Sequence, residues 1–169
     1  EEGVYEGYGP GGIAIMVEVL TDKKSRTVPE LKSTFKTNGG TMADANAVAY
    51  LFDKKGLILI EGEKITEDDI MEIALDAGAE DIEKDDEKVF AVKTAVNDFH
   101  AVLSAIEPKL AAKGYKIIES GLKYIPQTTI TVEGEKAKEA LELIEALEDN
   151  DDVQNVYSNL ELTDAMMNA

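Results

Sequence analysis

The chain has 169 residues, 35 of them acidic and 17 basic, which gives a formal net charge of −18 at pH 7 with the single histidine neutral. Its length corresponds to one domain or two small ones, its 44% hydrophobic content is typical of a folded globular protein, and no apolar run approaches the roughly 18 residues of a membrane-spanning helix. The absence of cysteine excludes disulfides, thiol nucleophiles and cysteine-ligated zinc, and the acidic charge argues against polyanion binding over the whole surface.

The first third of the chain predicts a strand, a helix and a second strand behind a glycine-rich loop. Residues 5–12 have the composition of a loop, and residues 13–20 form a short apolar run typical of a buried strand. Thr27 can cap a helix because a glutamate follows three residues later, and an Asn-Gly-Gly sequence ends that helix at Gly40. Residues 47–52 predict the next strand.

The middle of the chain predicts strand, helix, strand, strand, helix and strand. Thr66 caps the first of these helices, with Asp69 in the capping-box position. Pro108 falls inside the second helical pattern and is expected to kink or divide it. The four strands are predicted at residues 57–61, 81–84, 89–93 and 115–125, and the two helices run from Thr66 to Gly78 and from Asn97 to Gly114.

The last third of the chain predicts strand, helix and strand again. Residues 127–132 are rich in β-branched side chains, as strands are. Residues 134–148 carry apolar side chains at helical spacing, and residues 153–157 predict the final strand.

These elements predict an α+β fold with two ferredoxin-like (split β-α-β) modules, the second inserted into the first. The inserted module is predicted at residues 55–125 and the discontinuous first module at 1–54 plus 126–169. Each set of elements is complete, and the junctions carry Lys-Lys-Gly and Pro126. The alternative is one larger mixed sheet with four helices.

Gly7, Gly9 and Gly12 match the spacing G-x-G-x-x-G of dinucleotide-binding proteins. That fingerprint has to open a helix so that the phosphates lie at the helix N-terminus, whereas a strand is predicted here. The favoured interpretation is a loop that needs glycine for positive φ. The functional alternative is a partner-contact loop formed by Gly9, Pro10, Gly11 and Gly12.

One basic segment stands out in the acidic chain. Its five cations outnumber two acidic residues between positions 21 and 36, a local charge of +3. Such a patch can contact nucleic-acid phosphates without reading sequence, although a solvated helix face is the simpler interpretation. The candidate nucleic-acid-binding residues are Lys23, Lys24, Arg26, Lys32 and Lys36.

The sequence offers no candidate catalytic residue, metal ligand or cofactor site. Residues 149–152 begin like a calcium loop, but Gln154 stands at the sixth position and Leu160 at the twelfth, where such loops have glycine and glutamate. His100 follows a phenylalanine on a predicted helix with no nucleophile motif nearby. We therefore expect a protein that is not an enzyme.

Seven short blocks of sequence, spread over nearly the whole chain, stand out together. They are G-Y-G-P-G-G (7–12), L-T-D-K-K-S-R-T (20–27), N-G-G (38–40), A-Y-L-F-D-K-K-G (49–56), A-L-D-A-G-A-E-D (74–81), Y-I-P (124–126) and L-E-D-N-D-D-V-Q-N-V-Y-S-N (147–159). In content and order these blocks resemble the YebC/PmpR family.

The resemblance implies a cytoplasmic, non-enzymatic regulator of gene expression that acts through DNA, as a probable transcriptional regulator, or through ribosomal RNA, as a ribosome-associated translation factor related to mitochondrial translational activators. It also implies a basic N-terminal helical domain ahead of two α/β modules, one inserted in the other. The chain begins at Glu1 without an initiator methionine, so we expect that domain to be absent from it. Nucleic-acid contacts are then expected through that domain and the segment from Lys23 to Arg26.

Two other classes of function remain open on the sequence alone. Ferredoxin-like modules also serve as ligand-sensing or protein-interaction modules, an analogy that rests on the fold. A hydrolase that uses acidic residues and a divalent metal has the least support.

Overall fold

A computed structural model describes residues 2–161 of the chain. In chain order its strands and helices are β1 (Glu2–Tyr8), β2 (Ala14–Leu20), α1 (Lys24–Thr37), β3 (Thr41–Ala43), β4 (Phe52–Glu61), α2 (Glu67–Asp76), β5 (Asp81–Asp86), β6 (Val89–Thr94), α3 (Phe99–Ala112), β7 (Lys116–Pro126), α4 (Glu135–Glu148) and β8 (Val153–Ser158). Short 3₁₀ turns lie at Pro10–Gly12, Ala49–Leu51 and Val96–Asp98.

The described residues divide into two units, and each contains a four-stranded antiparallel sheet. One unit is formed by the described residues up to Asp53 together with those from Ile125 onwards, and the other is Lys54–Tyr124. The sequence-based division into two domains, residues 55–125 and residues 1–54 plus 126–169, stays a prediction.

The sheet of the first unit has the strand order β3-β1-β2-β8. Strands β1 and β2 form a hairpin in which Glu6 pairs with Met16. Alternate residues of the second strand face helices α1 and α4, as the period of two in a strand requires. The resulting core contains Ile13, Ile15, Val17, Val19, Leu31, Phe35, Val132, Ala137, Ala140, Leu143, Leu147 and Leu160.

The prediction that residues 5–12 form a loop is wrong for its first half, because β1 extends to Tyr8. Gly7, which gives this strand the composition of a loop, is required by packing. A Cβ atom on Gly7 would lie 2.6 Å from Cε1 of Phe35, so the aromatic ring of α1 rests directly on the strand backbone. Composition alone therefore misidentified a central strand.

The strand predicted at residues 127–132 is also wrong. Within the described residues this segment forms a single bridge, between Ile130 and Leu160, and no ladder. Strand β1 lies between β2 and β3, in the sheet position that the prediction assigns to residues 127–132. The first unit therefore keeps the ferredoxin-like strand order with its third strand supplied from the start of the chain.

The strand predicted at residues 47–52 is replaced by a 3₁₀ turn, Ala49–Leu51, and the short strand β3 precedes it. The backbone N–H groups of Val48 and Ala49 donate to the carboxylate of Glu6, so they are not available to a neighbouring strand. A buried side chain thus determines the local backbone conformation here.

The second unit matches its prediction closely. Its strand order is β5-β6-β4-β7, the ferredoxin-like arrangement. The hydroxyl of Thr66 accepts the N–H of Asp69 at 3.2 Å, which confirms the predicted cap. Pro108 does not divide α3, because the helix continues to Ala112 and buries Leu110 in the core. That core contains Ile58, Ile60, Ile70, Ile73, Ala74, Phe90, Val92, Phe99, Val102, Ile106, Leu110 and Tyr115.

Candidate nucleic-acid interface

Helix α1 carries the basic segment that the sequence singles out. The helix begins at Lys24, with Lys23 as its N-cap residue, and not at Thr27 as predicted. Thr27 is fully buried inside the helix and makes no cap. All five candidate cations are exposed: Lys23, Lys24, Arg26, Lys32 and Lys36.

The helix separates these cations into two rows. Lys24, Lys32 and Lys36 lie at multiples of four positions, along one ridge of the helix. Their ammonium groups form no ion pair with any residue that the structure describes. Arg26 and Glu30 follow a different ridge, which faces the loop at residues 149–152 after α4.

Arg26 forms an ion pair with that loop. Its Nη2 atom lies 3.0 Å from Oδ2 and 3.3 Å from Oδ1 of Asp152, and 3.4 Å from Oδ1 of Asp22. The side chain of Arg26 is 47% exposed and that of Asp152 only 16%. Arg26 therefore differs from the lysines with which the sequence groups it, because the loop at residues 149–152 lies beside it and supplies an ion-pair partner.

Asp152 is further held by two threonines. Its Oδ2 atom accepts a hydrogen bond from the Thr27 hydroxyl at 2.7 Å and from the Thr21 hydroxyl at 3.3 Å. The two hydroxyl oxygens lie 2.8 Å apart, and the backbone carbonyl of Asp152 accepts the N–H of Leu20 at 2.8 Å. The side chain of Asp152 therefore fastens the loop to the start of α1, and its backbone fastens the loop to the end of β2.

The electrostatics of this pair agree with the geometry. The hydrogen bond from Thr27, followed by that from Arg26, holds the pKa of Asp152 below its ordinary value. The hydrogen bond and the charge of Asp152 raise the pKa of Arg26. Asp152 is thus a stabilised carboxylate and not a solvated one, which its acidic neighbourhood in the sequence does not indicate.

An open cleft beside Arg26 is acidic. Five carboxylates and a single guanidinium line it, with residues Asp22, Arg26, Glu30, Asp149, Asn150, Asp151 and Asp152. The local charge of +3 counted along the sequence is therefore reversed on this side of α1. A phosphate that enters the cleft itself is repelled by these carboxylates. The row of Lys24, Lys32 and Lys36 is therefore the main cationic surface of the helix, and the exposed part of Arg26 is, among the described residues, the one cationic group at the cleft.

The glycine-rich loop forms the turn between β1 and β2. Gly9 and Pro10 are buried, while Gly11 and Gly12 are exposed with φ angles of 81° and 82°. The prediction that glycine supplies positive φ here is confirmed. A strand follows the turn, so the helix N-terminus that a dinucleotide fingerprint requires is missing at this position.

A buried carboxylate that the sequence gives no reason to select holds the loop before β4. Glu6 is 5% exposed and accepts the backbone N–H groups of Asn46, Val48 and Ala49 at 2.6, 2.9 and 2.7 Å. The loop that it fixes ends near Tyr50, whose side chain is 69% exposed. A glutamate on an alternating strand is usually solvent-facing, so only the three-dimensional structure identifies this one.

Within residues 2–161 the structure shows no cluster of metal-ligand side chains. Histidine and acidic side chains there form no group of three or more that could hold a metal ion. His100 is exposed, with its ring 5.2 Å from that of Phe99. No helix in this part of the chain is long and apolar enough to cross a membrane.

Comparison with known proteins identifies the family. Residues 1–160 match the family described as the TACO1/YebC second and third domain. The chain belongs to this family. The resemblance of the sequence blocks to YebC/PmpR proteins is therefore confirmed, and with it the α+β fold of two ferredoxin-like modules.

Curated relatives carry a regulatory name. A protein of Acidithiobacillus ferrooxidans is 50% identical over 167 residues, covering 99% of this chain and 64% of its own length. A protein of Syntrophus aciditrophicus is 46% identical over 167 residues, covering 99% and 65%. Both are named "Probable transcriptional regulatory protein". The chain thus spans just under two thirds of the length of these relatives.

A solved structure supports the fold. The crystal structure of a conserved hypothetical protein from Aquifex aeolicus is similar with a TM-score of 0.84 and 34% sequence identity. The match covers 97% of this chain and 66% of that one. Both four-stranded sheets therefore belong to an architecture that is known experimentally.

Proposed function

We propose that the protein is a non-enzymatic regulator of gene expression that binds nucleic acid through helix α1. The observation that carries the proposal is the exposed row of Lys24, Lys32 and Lys36, which have no ion-pair partner among the described residues in a chain of net charge −18. The regulatory name of the relatives supports it. Lys23 and, in the glycine-rich loop, the exposed residues Gly11 and Gly12 are proposed as further contacts, whereas Gly9 and Pro10 are buried.

The proposed contact is with the phosphate backbone. Lysine ammonium groups neutralise phosphates and release counterions without discriminating bases. The same row suits promoter DNA and ribosomal RNA, and we propose the cytoplasm as the compartment in which the contact is made. The net negative charge of the rest of the molecule repels a polyanion, which favours the orientation in which this row of lysines faces it.

The test measures binding of the complete gene product to a DNA duplex and, separately, to ribosomes, across a salt series. The variant Lys24→Glu, Lys32→Glu, Lys36→Glu reverses the row. We expect its affinity to fall about tenfold or more and its salt slope to fall by about 2 to 3. The target that shows this loss, either the DNA duplex or the ribosome, is the class of target on which we propose that the protein acts.

The matched control reverses three other exposed lysines and changes the net charge equally. Lys84, Lys109 and Lys116 lie in the second unit, are exposed and form no ion pair among the described residues. Long-range repulsion affects both triple variants, whereas loss of direct contacts affects only the first. Equal losses in the two variants would contradict the proposal.

A further inference from the structure

The first turn of α1 lacks the usual support of a helix start. Its N-cap residue is Lys23, which contributes no side-chain cap, although an oxygen-bearing side chain at that position normally accepts an orphan N–H. The contacts of Asp152 with Thr21 and Thr27 accept no backbone N–H of this turn, but they tie the turn to the loop after α4. The orientation of this turn thus depends on a residue far away in the sequence.

The same carboxylate restrains Arg26 while leaving most of its donors unused. A guanidinium has five N–H donors in a planar fork. Only Nη2 of Arg26 takes part in contacts with described residues, and the side chain is 47% exposed. Nε and Nη1 therefore remain for a ligand, on a group whose position is already fixed.

We propose that Asp152 is a positioning residue for nucleic-acid binding: it holds Arg26 and the first turn of α1 so that the remaining guanidinium donors meet a phosphate. This inference rests on the function proposed above. An isolated surface ion pair orders its partners weakly, but here the carboxylate is held by two hydroxyls and by its own backbone as well. An arginine that is oriented in advance loses less side-chain entropy on binding.

The proposal makes a prediction whose sign differs from that of simple electrostatics. Removing a negative charge beside a phosphate-binding surface reduces repulsion and tightens binding. Removing a positioning contact weakens it. Asp152→Asn does both, so we expect the loss of positioning to dominate and the affinity for a DNA duplex or for ribosomes to fall about three- to tenfold, with a salt slope lower by about 1.

Asp151→Asn is the matched control. It removes the same charge from the same loop, and Asp151 is exposed and makes no contact with Arg26 or Thr27. We expect this variant to bind as tightly as the wild type or slightly more tightly. The difference between the two asparagine variants isolates the positioning effect from the change in net charge.

A double-mutant cycle tests whether Asp152 acts through Arg26. In an Arg26→Gln background the guanidinium is gone, so Asp152→Asn should produce a clearly smaller loss of affinity, because only its hold on the first turn of α1 remains. A loss of the same size in both backgrounds would mean a purely structural role and would overturn the inference. Thermal melts followed by circular dichroism establish that each variant is folded at the assay temperature.

If Asp152→Asn melts below the assay temperature, Arg26→Gln alone decides the matter against Lys109→Gln, an exposed lysine elsewhere. The inference requires the loss in affinity from Arg26→Gln to exceed that from the control, and equal values overturn it. Asp152→Asn binding as tightly as Asp151→Asn also overturns it while leaving the proposed function intact. A wild type without salt-dependent binding to either nucleic acid overturns the proposed function instead.

Discussion

Oδ2 of Asp152 lies 2.7 Å from the hydroxyl oxygen of Thr27, a contact across 125 positions of the sequence. It joins the loop after the last helix to α1 at Thr27, which is fully buried. Because the loop carries three of the five carboxylates of the cleft, one contact fixes the position of these carboxylates relative to the basic helix. The charge pattern of this surface is therefore a property of the fold and not of any single segment.

The lowered pKa of Asp152 predicts how stability depends on pH. A carboxyl group whose pKa is lower in the folded state contributes stability above its unfolded pKa, about 3.9, and that contribution disappears as the pH falls through the folded value. We expect the difference in unfolding free energy between the wild type and Asp152→Asn to be constant from pH 7 to about pH 5 and to shrink below about pH 4. Urea unfolding at several pH values measures it.

The cause of this pKa shift is checked separately by NMR titration of the carboxyl group. Thr27→Val removes the hydroxyl that is the largest cause and keeps the shape of the side chain. The pKa of Asp152 should then rise towards its ordinary value. A pKa that stays as low in the variant as in the wild type would contradict the assignment of Thr27 as the main partner.

Glu6→Gln tests the buried carboxylate of the first unit. The amide has one acceptor oxygen where the carboxylate has two, and its NH₂ group faces backbone N–H donors. We expect the free energy of unfolding to fall by about 2–4 kcal/mol, because buried donors lose their acceptor. Hydrogen exchange at Asn46, Val48 and Ala49 should accelerate first, since Glu6 accepts these three amides.

A matched control for Glu6 is Glu2→Gln, an exposed residue on the same strand. It changes the charge equally without touching the loop. Stability within about 0.5 kcal/mol of the wild type is expected for it. If the two variants are equally stable, Glu6 does not hold the loop as the structure indicates.

Gly11 and Gly12 form a pair in which backbone strain and steric overlap can be separated. Both have positive φ, so alanine at either position costs about 1–2 kcal/mol from the left-handed backbone. At Gly11 the added Cβ would also lie 2.7 Å from Cγ1 of Val132, whereas at Gly12 nothing lies within 4 Å. We expect Gly11→Ala to be more destabilising by about 1–3 kcal/mol.

Chemical denaturation of the two alanine variants measures this difference. Val132→Ala in the Gly11→Ala background should restore part of the loss by removing the atoms that overlap. Equal destabilisation by the two single variants would mean that the turn moves away from Val132 without cost.

The sequence predicts the second unit well because its signals are local. The alternation of apolar residues, the Thr66 cap and the turn between β5 and β6 each act over a few residues. In the first unit the same reasoning fails in three places, one of them the 3₁₀ turn Ala49–Leu51, where the sequence predicts a strand. Gly7 makes a central strand resemble a loop, and β-branched residues at 127–132 resemble a strand that another segment replaces.

The candidate site could be predicted only in part. Its cations are visible as a local excess of charge, and their exposure on α1 follows from helical spacing. Their separation into a lysine row and an ion-paired arginine could not be predicted, because the partner of Arg26 is Asp152, 126 positions away. The role of Glu6 could not be predicted for the same reason, because the three backbone N–H groups that donate to it lie 40 to 43 positions later. A long-range contact between single charged residues produces no repeating pattern in the sequence, so it cannot be predicted from one.

Independent folding of the two units is tested by core truncation in each. Ile106 and Leu143 are fully buried in the second and first unit respectively. Replacing either by alanine should cost about 2–5 kcal/mol from lost burial and a residual cavity. If the units are separate domains, Ile106→Ala should lower hydrogen-exchange protection within Lys54–Tyr124 and leave the other unit protected, because exchange reports each cooperative unit by its own opening free energy. Leu143→Ala should give the reciprocal pattern. Loss of protection in both units from either substitution would mean one cooperative unit, and the division into domains would then be wrong.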